Sequence, residues 1–97
     1  MKWTLETLRQ RREEILAIAK RRGVKNIRVF GSVARGEARP DSDLDFVVEF
    51  EAGTSLMDHG ELIMDLEEKL GCRVDVVSAR GMRERLKSRV EAEAVAL

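Results

Sequence analysis

Asp43-Leu44-Asp45 places two carboxylates at i and i+2 of a stretch that alternates like a β-strand, so both point to one face. Two anions a few ångströms apart repel, and one is pushed toward a raised pKa. A divalent cation relieves that repulsion, and hard Mg²⁺ favours carboxylate oxygens while completing its shell with water and substrate phosphates. Asp75 adds a third carboxylate inside a second strand-like run, Cys72–Val77, where Val74 and Val76 point the opposite way. Three carboxylates on one sheet face are the minimum set for a two-metal phosphoryl-transfer site. Each acid alone has an ordinary reading as a solvated strand residue. Aspartate is nevertheless disfavoured in strands, so three in strand interiors lean away from chance.

Gly31-Ser32 directly follows another strand-like run, Asn26–Phe30. Glycine permits a tight turn and close approach of a phosphate to the backbone, and Ser32 offers a hydroxyl. Alone, such a pair is a turn. The chain has no G-x-x-x-x-G-K-[ST] phosphate loop. Together, Gly31-Ser32, ten intervening residues and Asp43-x-Asp45 spell G-S-x₁₀-D-x-D. The stretch Phe30–Val48 and the later Val74–Val77 closely resemble the minimal nucleotidyltransferases, a small subset of the DNA polymerase β-like nucleotidyltransferase superfamily that includes antitoxins of the MntA type.

The resemblance implies a role for each matching residue. Asp43 and Asp45 would hold one Mg²⁺ on the nucleotide phosphates and, with Asp75, a second ion beside an attacking hydroxyl. Asp75 would act as metal ligand, general base or both. Gly31 and Ser32 would cradle the departing phosphates. Arg35 would contact phosphate, with an ion pair to Glu37 as the equal alternative. The resemblance also favours ATP as donor, hence AMP transfer, to a tyrosine of a small helical HEPN-type ribonuclease toxin that such proteins neutralise. Two rivals stand beside it: transfer to a small molecule or an RNA end, and a partner-binding module without catalysis.

The elements that must position these groups follow from periodicity. Leu5, Leu8, Arg12, Ile15, Ile18 and Ala19 predict a helix over 5–22, with Thr4 as N-cap and Gly23 beyond its end. Gly31 onward reads as a turn into one or two helical turns, then a loop through Pro40. Asp43–Glu51 predicts a second strand with Leu44, Phe46, Val48 and Phe50 on one face. Ser55-Leu56-Met57-Asp58 opens a helix that Gly71 closes, with Leu56, Ile63, Leu66 and Leu70 as its buried stripe. A last helix is expected from Met82 to about Val90, with Glu91–Leu97 extended. The order predicts an α/β or α+β fold: one domain over 1–97, a small mixed sheet, and helices mainly on one face.

Composition narrows the class. Ninety-seven residues with 43% hydrophobic and 37% charged side chains allow one thin core under a polar surface. A single cysteine, Cys72, excludes a disulfide framework and a multi-cysteine zinc site, and fits a cytoplasmic setting. Apolar runs are too short for a membrane span, and no signal peptide is expected at the N-terminus. With no tyrosine and four aromatics, a stacking platform for nucleic acid is disfavoured. The zero net charge hides an uneven distribution. Residues 9–39 carry ten Lys/Arg against three Asp/Glu, and residues 41–75 carry two against eleven. A chain this size supplies the metal-nucleotide half of a site. An acceptor would then bind on an open face, in an oligomer, or against a partner, and one brought by a second protein would complete the site. His59, the methionines and Cys72 read as structural.

Overall fold

The computed structural model describes residues 2–97. Its elements, in chain order, are α1 (Leu5–Arg9), α2 (Arg12–Arg21), β1 (Val24–Phe30), α3 (Gly31–Arg35), β2 (Leu44–Phe50), α4 (Leu56–Leu70), β3 (Val74–Ser78), α5 (Glu84–Glu93) and β4 (Val95–Ala96). The strands form one mixed sheet in the order β3-β2-β1-β4. β1 pairs antiparallel with both β2 and β4, whereas β2 and β3 run parallel. Parallel strands need a long crossover, and the 15 residues of α4 provide it.

Strand alternation divides the sheet into two faces. Ile27, Val29, Leu44, Phe46, Val48, Val74 and Val76 are buried on one face. Leu8 of α1, Ile15 and Ile18 of α2, and Leu62, Leu66 and Leu70 of α4 join them in a single core cluster. On the other face stand Arg28, Phe30, Asp45, Val47, Glu49 and Asp75. Helix α5 covers part of this second face. Val47 and Val90 are almost fully buried yet lie outside the main cluster. The observed architecture is thus α+β, with α1, α2 and α4 behind the sheet, the short α3 adding Val33 to the same core, and α5 in front, beside the carboxylates.

Two side-chain ties brace the helices. Arg22 donates from Nε to Asp65 at 2.8 Å and from Nη1 to Glu61, pinning α2 to α4. Helix α4 also caps the open edge of β3. Glu67 Oε2 accepts from the Val74 N–H at 3.1 Å, and His59 Nε2 donates to the Val76 carbonyl at 2.9 Å. Capping an edge strand in this way blunts pairing with foreign chains.

Several expected boundaries shift. The helix expected over 5–22 is two helices. The Arg11 N–H bonds back to Leu8 O at 3.0 Å, an i→i−3 contact that tightens the chain, and Arg11 Nη2 reaches Lys69 O at 3.2 Å. Thr4 caps α1 through a box with Thr7, as its position suggested. Arg12 is exposed rather than part of the buried stripe. On α4 the box of Ser55 and Asp58 forms, and Gly71 is the C-cap, but Leu56 is 87% exposed. It is the first helical residue, and Leu62, fully buried, takes the place expected of it. Helix α5 starts later and extends to Glu93, which shortens the expected final extended segment to Val95–Ala96.

Candidate active site

The carboxylates gather where β2 and β3 run side by side. Asp45 and Asp75 are register partners across the parallel pair, so their side chains leave the same face. Asp43 lies two residues before Asp45 at the entry to β2, and its Oδ1 is 3.8 Å from Arg73 Nε. Asp75 is exposed and Asp45 half-buried. Burial pushes the Asp45 carboxyl up to about 6, with the negative charges of Asp75 and Asp43 adding to the shift and Arg35 opposing it. The repulsion expected from the D-x-D partner Asp43 contributes, behind burial and the charge of Asp75.

On the other side of Asp45, β1 ends at its register partner Phe30 and turns directly into α3. Gly31 makes that turn with φ at +78°, a region L-side chains rarely adopt. Its hydrogen also leaves room for the neighbouring carboxylate, because a Cβ there would collide with Asp45 Oδ2. Ser32 follows, half-exposed. Gly31, Ser32, Arg35 and Asp45 line one cavity of about 260 Å³.

Arg35 is more heavily engaged than its neighbours in sequence foretell. Its Nε donates to Glu37 Oε1 at 3.0 Å, the ion pair weighed above. Its Nη1 also donates to both oxygens of Glu93 at 3.1 Å, which ties α3 to α5. Glu93 was not singled out in the sequence. The pair spans 58 residues of chain, and no local pattern announces it. The far cavity wall is the α5 face of Leu86, Arg89, Val90 and Glu93, also unforeseen. Its sequence signal is the i, i+4 spacing of two apolar residues, Leu86 and Val90.

Among the described residues no three His, Cys, Asp or Glu side chains are already close enough to form a metal cage. The donor chemistry nonetheless suits a hard divalent cation. Three carboxylates occupy one end of one sheet face, and the half-buried member is destabilised as an anion first by its burial and then by the other two. A cation at this end of the sheet would relieve that cost.

Comparison with known proteins gives concordant results. A family model described as "nucleotidyltransferase domain" matches residues 12–97. The protein adenylyltransferase MntA of Thermococcus cleftensis is 44% identical over 78 residues, 80% of this chain and 79% of that protein. A solved minimal nucleotidyltransferase superimposes with a TM-score of 0.86 at 56% identity, covering 98% of this chain and 97% of that one. The fold also recurs, at 20% identity and a TM-score of 0.70, in a structure of a tri-AMPylated HEPN toxin with its MNT antitoxin from Shewanella oneidensis. That likeness covers 91% of this chain and 69% of its counterpart. No helix among the described residues is long and apolar enough to cross a membrane.

Proposed function

This chain belongs to the nucleotidyltransferase domain family, and on that premise we propose that it transfers AMP from ATP to a tyrosine hydroxyl of a HEPN-type toxin partner, acting as the antitoxin. The observation that carries the reading is the in-register pairing of Asp45 with Asp75, opposite the turn at Gly31-Ser32. The adenylyltransferase name of the Thermococcus relative supports the AMP chemistry. The AMPylated toxin bound to an antitoxin of the same fold supports the partner class.

Asp43, Asp45 and Asp75 are the residues that would hold Mg²⁺, as two ions. When bound, Mg²⁺ neutralises the triphosphate and lowers the pKa of the attacking hydroxyl. The chain's own groups then divide the remaining work. Ser32 donates its hydroxyl to the β- and γ-phosphates, and the bare Cα of Gly31 lets them approach the backbone. Arg35 has Nε and Nη1 held by Glu37 and Glu93, which fixes its guanidinium and leaves Nη2 to donate to a phosphate oxygen. Asp75, the most exposed of the three acids, takes the proton of the acceptor hydroxyl. The new bond joins the tyrosine oxygen to the α-phosphorus, and the bond from that phosphorus to pyrophosphate breaks. The chain carries no tyrosine of its own to act as acceptor.

The test uses ATP labelled at the α-phosphate, Mg²⁺ and a co-expressed helical toxin. Label on the toxin is expected, and its loss in the Asp43→Asn/Asp45→Asn protein while circular dichroism stays native. Transfer that survives the double substitution overturns the carboxylate assignment. Label on a small acceptor, or a tight complex without label, favours the two rival readings.

A further inference from the structure

Four residues of α5 at helical spacing, Leu86, Arg89, Val90 and Glu93, face the cavity that Gly31, Ser32 and Asp45 line from the other side. Two of them have structural work. Val90 is 1% exposed and anchors the helix to the sheet, and Glu93 is bonded to Arg35. The other two are less engaged. Leu86 is a large apolar side chain left 40% exposed at the cavity. Among the described residues Arg89 makes one ion pair, with Glu93 at 3.7 Å, and its side chain is 69% exposed.

The charge around the cavity gives this pair a purpose. Arg35 is balanced twice, by Glu37 and by Glu93, and Asp45 is a further acid on the wall. A triphosphate entering there meets more carboxylates than unengaged cations. Arg89 is the loosely held cation on that wall, on a side chain long enough to follow a phosphate. A planar guanidinium is suited to gripping phosphate oxygens in pairs.

We propose that α5 is the second wall of the nucleotide site, with Arg89 donating to a phosphate and Leu86 packing against the base or ribose. The inference rests on the nucleotide-transfer reading above and names residues beyond its carboxylates and Gly-Ser turn. It places Arg89 in direct contact with the substrate and gives α5 a binding role that its single buried anchor does not explain.

Isothermal titration of the full chain with Mg²⁺ and either ATP or inorganic tripolyphosphate tests it. Arg89→Gln should weaken both ligands about tenfold or more, as loss of a charge-assisted hydrogen bond predicts. Arg89→Lys should fall between, since it keeps the charge without the fork. Leu86→Ala should weaken ATP several-fold and leave tripolyphosphate unchanged. Arg85→Gln, on the same helix but away from the cavity, serves as the control and should bind within twofold of the unaltered chain. Thermal melts of each variant establish that the fold is intact. If the unaltered chain binds ATP and Arg89→Gln binds as well as Arg85→Gln, the α5 assignment is overturned while the nucleotidyltransferase reading stands. If the unaltered chain binds neither ligand, both are overturned.

Discussion

The carboxylate of Asp45 fills the space where a side chain on Gly31 would begin. The turn into α3 and the acid on β2 are therefore one packed unit, although 13 residues separate them in sequence. Gly31→Ala carries two costs: left-handed backbone strain of about 1–2 kcal/mol, and displacement of Asp45. In an Asp45→Ala background the collisions with the carboxylate disappear, leaving the strain and a tight 3.2 Å approach to the residue 45 Cβ. A double-mutant cycle by chemical denaturation should give a coupling of about 1 kcal/mol or more. Additive effects would mean that the two residues do not share that space.

Asp45 also makes stability depend on pH in a direction opposite to that of most carboxylates. Its folded pKa of about 6 lies above the ordinary value of 3.8, with burial the leading cause. The folded state thus binds more protons between roughly pH 4 and pH 6, and stability falls as pH rises through that window. Because the group is only half-buried, solvent screening reduces the effect to about 1 kcal/mol. In chelator-treated protein at pH 7.5, Asp45→Asn should raise Tm by a few degrees, and near pH 4 the gain should shrink. Added Mg²⁺ should raise the Tm of the unaltered chain and not that of the variant. A less stable Asp45→Asn protein at pH 7.5 would contradict the electrostatic account.

Legibility of the fold in the sequence followed the range of the interactions. The alternation of Leu44–Phe50 assigned Asp45 to the face opposite Phe46, and Val74 and Val76 did the same for Asp75. The caps at Thr4 and Ser55 were visible because each is complete within four residues. What escaped was set by distant partners. Leu56 fits the apolar stripe by spacing but, at the first position of α4, is left exposed. The break at Gln10-Arg11 comes with a bond from Arg11 to Lys69. Glu93 entered the site only because α5 crosses the front of the sheet, a placement no local periodicity encodes.

The Arg35–Glu93 tie makes its own prediction. It holds α3 to α5 with both Glu93 oxygens at 3.1 Å, and Glu93 is only 20% exposed. Arg35→Ala and Glu93→Ala should each destabilise the chain, and their cycle should return a favourable coupling, as a partly screened ion pair gives. The coupling should shrink in 1 M NaCl. No coupling at low salt would show that α5 is held by Val90 alone.

His59 offers the test of a residue whose type invites a catalytic reading and whose position denies one. Its Nε2 donates to the Val76 carbonyl on the outer edge of β3, and its ring lies 5.4 Å from that of Phe50 at 41°. Those partners belong to edge capping and packing, away from the Asp45–Asp75 pair. His59→Ala should lose both contacts, at about 1–2 kcal/mol. His59→Phe keeps an aromatic ring and leaves the carbonyl without its donor, so it should recover part of that loss. Below its melting temperature the His59→Phe protein should transfer label at the rate of the unaltered chain. Loss of transfer in this variant with the fold intact would return His59 to the chemistry.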